Sequence, residues 1–242
     1  MRYIMMHKHD AHTEAGELPP PELIQKMGAF IGKYAQSGIF VDGAGLGRSA
    51  TRSRVTFKSG ESQVVHGPFK GVNELLSAVI MIKVGSRDEA IGWAKKYGKI
   101  LVDGELEVSQ VNEPWDIGIM PKPDNAPLRY LLLEKASEAT EGGGRSTKQK
   151  ADLTKLRNEM ERDGVLVSAT GLAPSARGKR LNFVDHKLQT LDGPFSESKE
   201  MIGGYSILEL PSVDAAIEMA KPYAEILGGT LEIDVRPLES LD

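Results

Sequence analysis

Short apolar runs alternate with helical periodicities along the chain, and the same succession is met twice. Tyr3-Ile4-Met5-Met6 and Tyr130-Leu131-Leu132-Leu133 are too short for helices and read as buried strands. A helix follows each. Pro19-Pro20-Pro21 leads into Leu23, Met27, Phe30 and Tyr34 at helical spacing, with Gly38 as the left-handed stop. Later, Ser146 or Thr147 caps a helix that carries Leu153, Leu156 and Met160 and ends at Gly164. Strands are then expected over Arg54 to Phe57, Val64-Val65 and Val79 to Val84, with Arg180 to Val184 and Tyr205 to Leu210 as counterparts. A second helix starts at Ser86, where Glu89 completes a capping box, and stops at Gly98; its twin starts at Ser212 and meets Pro222. Alternation in Leu231-Glu232-Ile233-Asp234-Val235 marks a closing, half-buried strand.

The repetition extends to individual residues. Gly38, Gly45 and Gly67 recur 126 positions on as Gly164, Gly171 and Gly193, and Arg54, Phe57, Gln63 and Tyr97 recur as Arg180, Phe183, Gln189 and Tyr223. Arg2-Tyr3 answers Arg129-Tyr130, a slip of one residue that suits a loop insertion. Two modules are therefore expected, 1–113 and 127–242, joined by a stiff, extended, proline-rich linker at 114–126. Each reads β-α-β…β-α-β, so the fold class is α+β with two ferredoxin-like modules. Packed sheet to sheet, they would form an intrachain pseudo-dimer resembling a dimeric α/β barrel.

Composition narrows the function classes. Of 242 residues, 40% are hydrophobic and 26% charged, with a mean hydropathy of -0.28, which is ordinary for a globular chain. A formal charge of -4 from mixed signs gives no nucleic-acid or membrane-surface footprint. The absence of Cys excludes disulfides, thiolate nucleophiles and iron–sulfur ligation. No apolar run spans a bilayer and no signal-peptide pattern opens the sequence, so a cytoplasmic location is expected.

Asp192-Gly193-Pro194-Phe195-Ser196-Glu197-Ser198-Lys199-Glu200, followed by Gly203-Gly204-Tyr205, resembles the DGPF signature of the YCII-related family. The first repeat keeps Gly67-Pro68-Phe69 with His66 in place of the Asp, and retains Glu74 from the charged tail. This resemblance implies a ferredoxin-like dimeric α/β barrel, ordinarily made from two subunits. It implies no settled activity, although isomerases and monooxygenase-like proteins share the fold. Shorter members carry a suggested catalytic pair, a His in the first helix and an Asp in an Asp-Pro-Tyr step. Here neither first helix contains His, and the steps are Lys221-Pro222-Tyr223 and Lys95-Lys96-Tyr97.

The DGPF segment has a structural reading: an Asx turn at Asp192, positive φ at Gly193, and Phe195 in the core. In the functional reading Asp192 and Glu200 serve acid–base chemistry and Lys199 stabilises charge, in an isomerase- or lyase-like reaction. His66, Glu74, Arg54 and Arg180 are the candidate ligand-binding residues, the two arginines as anion recognition or as paired β residues. His7 and His9 share a strand face and could hold a divalent metal with His12 or Asp10, although a solvated His-rich loop is the simpler account and no cofactor is expected. Gly43-Ala44-Gly45-Leu46-Gly47 lacks dinucleotide spacing and reads as a turn. The expected partner is an unidentified small molecule, bound by a monomer or a further homo-oligomer. A non-catalytic binding or regulatory protein, or a metal-dependent enzyme, are the alternatives.

Overall fold

The computed structural model describes residues 1–71, 74–142, 144–184, 187–195, 201–228 and 230–241. Its first repeat runs β1 (Arg2–Lys8), α1 (Ala11–Ala15), α2 (Pro21–Gln36), β2 (Phe40–Leu46), β3 (Ser53–Lys58), β4 (Glu61–His66), β5 (Leu76–Val84), α3 (Arg87–Leu101) and β6 (Gly104–Asn112). The second follows the same plan: β7 (Leu128–Lys135), α4 (Glu138–Glu141), α5 (Thr147–Arg162), β8 (Leu166–Leu172), β9 (Lys179–Val184), β10 (Lys187–Asp192), β11 (Ile202–Glu209), α6 (Val213–Leu227) and β12 (Leu231–Glu239).

Eight strands close into a barrel in the order β1-β11-β2-β6-β7-β5-β8-β12, with β12 returning to β1. The hairpins β3-β4 and β9-β10 extend the sheet outward from β6 and β12. Neither half of the barrel is built from one repeat. β1 lies between β11 and β12 of the second repeat, and β7 lies between β5 and β6 of the first. The helices follow their strands: α5 packs with α3 over one core, and α2 with α6 over another. Each repeat has thus lent its opening β-α-β unit to the other. Two short seams join the halves, Gly45–Asn112 and Leu46–Val111 on one side, Gly171–Glu239 and Leu172–Leu238 on the other.

The apolar run of β1 is continuous because both of its faces are covered. Tyr3 and Met5 face the helices with Phe30 and Tyr223, while Ile4 and Met6 face the barrel interior with Leu46, Met81 and Leu131. Helix caps follow expectation at Ser86, Ser146 and Ser212, each of which accepts from the backbone N–H three residues on. At Gly98 the structure departs from it. α3 runs on to Leu101, and Gly98 is buried where a Cβ would overlap the Phe57 ring; close packing, not a helix stop, explains the glycine. Gly43 to Leu46 form part of β2 and not a turn, paired with β11 through Gly43, Ala44 and Gly45, and a Cβ on Gly43 would crowd the Tyr205 carbonyl. The linker is turn-rich and not extended: Asp116 N–H bonds Glu113 O, and Ile119 N–H bonds Pro114 O. Among the described residues, no helix is long and apolar enough to cross a membrane.

Candidate functional site

Exchange of the opening strands brings charges from both repeats together. In the first half, Arg52 Nη1 meets Glu107 Oε1 at 2.7 Å and Arg54 Nη2 meets Glu74 Oε1 at 2.6 Å. Lys135, arriving on the lent strand β7, pairs with Glu74 and lies 3.4 Å from Glu107. The other half repeats this with Arg180 gripping Asp234 through Nε and Nη2 at 2.7 and 3.1 Å, and Lys8 of β1 at 3.0 Å from the same carboxylate. The guanidinium carbons of Arg54 and Arg180 lie over the Phe69 and Phe195 rings, 4.1 and 4.5 Å from the ring centres. Both phenylalanines are only half-buried, which corrects the expectation that Phe195 fills the core.

The electrostatics are mutual. Burial alone would raise the Glu107 carboxyl, but Lys135, Arg52 and Arg54 outweigh it and hold the group at about 2. Asp234 is likewise raised by burial and lowered further by Lys8 and Arg180, for a net downward shift. Arg52, Arg54 and Lys135 are matched by Glu74, Glu105 and Glu107, so the described charges of this cluster balance. Of the residues expected at a ligand, Arg54 and Glu74 pair with each other and Arg180 pairs with Asp234.

The remaining candidates separate. His66 Nδ1 bonds the buried Ser53 hydroxyl at 2.9 Å, and at the equivalent positions Asp192 pairs with Lys179, its side chain 77% exposed. Glu197, Lys199 and Glu200 lie outside the described residues, as does His186. Gly193 does not take positive φ; a Cβ there would overlap the Ser175 carbonyl oxygen, and the same holds for Gly67 against Ser49. The motif therefore presses its loop onto the short 3-10 turns Ser49–Thr51 and Ser175–Arg177, and Phe195 N–H bonds Ser175 Oγ.

The three histidines of the proposed metal cluster take different partners. His7 Nδ1 bonds the Tyr223 hydroxyl at 2.9 Å, His9 Nε2 faces the Arg52 guanidinium, and the exposed His12 bonds Glu17 at 2.8 Å. Burial, then the neighbouring His9, lowers His7 to about 4; burial, then Arg52, lowers His9 to about 4. Because the guanidinium can only donate, His9 Nε2 is its acceptor, which assigns the ring proton to Nδ1. Among the described residues no three His, Asp or Glu side chains form a group able to hold a metal ion. Gly203 and Gly204 leave room for the His7 ring, which a Cβ at either position would crowd.

Space for a ligand opens elsewhere, at the β2–β6 seam. A cleft of about 830 Å³ lies there between α1, the start of α2, the end of α6 and the 3-10 turn, and of the predicted site residues that are described only His12, with its neighbour Asp10, lines it. Thr51, Gln110 and Asn112 form part of the polar wall; Leu18, Leu23 and Ile226 belong to the apolar one. At the β8–β12 seam the corresponding cavity is about 70 Å³. The sequence differs at both seams: Thr51 and Asn112 stand where the second repeat has Arg177 and Glu239, whose side chains pair with each other. The cleft residues had no motif to announce them, whereas the buried charges could have been found from Lys8 and Glu107 recurring as Lys135 and Asp234.

The chain matches the YCII-related domain twice, over residues 1–113 and 128–239. It is also 28% identical over 87 residues to an uncharacterized protein of Rhizobium meliloti (strain 1021), covering 36% of this chain and 70% of that protein. No solved structure matches it. With both repeats matched over nearly their whole length, the chain belongs to the YCII-related family.

Proposed function

We propose that this protein binds a small organic molecule in the cleft at the β2–β6 seam, and that its two repeats form an intrachain pseudo-dimer with one working site. The observation that carries the reading is the asymmetry of the seams: about 830 Å³ where Thr51 and Asn112 stand, about 70 Å³ where Arg177 and Glu239 pair. The larger volume is within the range of small-molecule sites, which run from roughly 300 to 1,000 Å³. Acid–base chemistry in the cleft would fall to Asp10 and His12, the titratable groups that the sequence already marks. Asp192 stands outside it.

Plugging the open seam tests this. Protein purified from cells would be denatured and its retained small molecules compared by mass spectrometry with those of Thr51→Arg/Asn112→Glu. Loss of specific compounds from the folded double variant is the expected result. Identical retained compounds in both proteins would remove the cleft as the binding site.

A further inference from the structure

The lining of the cleft is unequal in charge and divided in polarity. Four carboxylates, Asp10, Glu17, Glu22 and Asp116, face two permanent cations, Lys26 and Arg48. Local pairing removes part of this set: Lys26 takes Glu22 at 2.7 Å, and His12 takes Glu17. Asp116 gives one oxygen to the Glu113 N–H and has no ion-pair partner among the described residues; Asp10 spends one oxygen on the Thr13 N–H. Arg48 Nη1 contacts the Ala15 carbonyl and pairs with neither of them. The balance that remains is negative, in a concave site where low-dielectric walls concentrate the field.

Opposite the charged rim is an apolar wall. Leu18 is 65% exposed, Leu23 and Ile117 are partly exposed, and Ile226 and Leu227 close the far side from α6. Leu18, Pro19 and Pro20 connect α1 to α2, and the two prolines hold this wall in an extended path without backbone donors of their own. Between the two walls, the carboxamides of Gln110 and Asn112 lie two residues apart, at the end of β6. They offer both donors and acceptors while adding no charge.

Resting on the proposed binding role of this cleft, we infer that its ligand class is the small organic cation with an apolar substituent, an alkyl- or arylalkylamine. The ammonium group sits toward Asp116 and Asp10, and the apolar part covers Leu18, Leu23 and Ile226. A carboxylate of the same length meets the same apolar wall with the wrong charge. A neutral alcohol meets it with none. Binding of the cation weakens with added salt, because its charge partners lie at an open rim.

The test is a titration of the full chain with n-hexylamine, hexan-1-ol and hexanoate, read by 1H–15N NMR shifts of the Gln110 and Asn112 side-chain amides. Expected is an affinity order of hexylamine, then hexanol, then hexanoate, with Asp116→Asn weakening hexylamine about threefold to fivefold and leaving hexanol unchanged. Hexanoate binding as tightly as hexylamine, or hexylamine binding untouched by Asp116→Asn in a folded variant, would overturn the ligand class and keep the cleft as a binding site. If no probe moves these resonances at tens of millimolar, both the ligand class and the binding role fall together.

Discussion

Arg52 and Arg236 tie the two repeats together through equivalent backbone carbonyls, although they stand at unrelated positions in their repeats. Arg52, between the 3-10 turn and β3, donates to Gly47 O and to Ile202 O across the repeat boundary. Arg236, in the middle of β12, donates to Ala173 O and to Leu76 O. Gly47 and Ala173 are counterparts, as are Leu76 and Ile202. The position equivalent to Arg52 is Gly178, where a Cβ would crowd the Arg236 side chain. A guanidinium is thus kept in space while its residue has moved along the chain, and each one crosses from one repeat to the other.

Both arginines are essentially fully buried, so their loss strands the groups they satisfy. Arg52 also neutralises the buried Glu107, whereas the acidic partner of Arg236, Glu141, is 25% exposed. Arg52→Met should cost about 3–5 kcal/mol and Arg236→Met about 2 kcal/mol in urea unfolding. Equal losses, or the reverse order, would show that the Glu107 pair is not the deciding difference.

Acid should weaken the fold in two stages. His7 and His9 are held near 4 in the folded chain against 6.5 when unfolded, so the unfolded state takes their protons first. Stability therefore falls as pH drops from about 6.5 toward 4, by at most about 1.4 kcal/mol per pH unit for each ring. Glu107 adds the second stage in the same direction: its contribution is whole above about 4.5 and is lost as pH approaches 2. Urea midpoints between pH 7 and 3 should show the first decline, and His9→Gln should make it shallower. A midpoint constant from pH 7 to 4.5 would contradict this account.

Gly98→Ala is expected to destabilise the protein by about 1–3 kcal/mol, although alanine is the better helix former by about 1 kcal/mol. The added methyl collides with the Phe57 ring. Phe57→Leu in the same chain should recover part of the loss. Thermal melts of the two single variants and the double variant measure the coupling; additive effects would mean that the two residues do not meet.

Separated repeats should be poor folders on their own. Residues 1–120 lack β7, leaving the inner edges of β5 and β6 bare, and residues 121–242 lack β1 between β11 and β12. Co-expressed, the two pieces should copurify as a 1:1 complex with restored cooperative unfolding. Two independently folded monomers by light scattering would argue against the exchange.

Much of the fold was legible because local signals and repetition agreed. Ser86, Ser146 and Ser212 announce helix starts, and the doubled pattern announces two halves of one architecture. Exchange of the opening β-α-β units was not legible: Tyr3 to Met6 is equally apolar on both faces whichever repeat receives it. Phe195 misled in the structural reading of its motif, because an aromatic beside a guanidinium has the same sequence signature as a core aromatic. The cleft was hidden for a further reason. Thr51 and Asn112 carry no motif, and only comparison with Arg177 and Glu239 at the equivalent positions marks them out.

The exchange of strands also sets a timetable for synthesis. Arg2 pairs with Glu209, 207 residues away, so β1 leaves the ribosome long before its neighbours exist. Until β11 and β12 appear, β1 has two bare edges and an apolar face on each side, and the first half cannot finish on its own account. Translation arrested between β6 and β11 would yield a chain marked by that open strand. In the completed chain both edges are paired, one to β11 and one to β12.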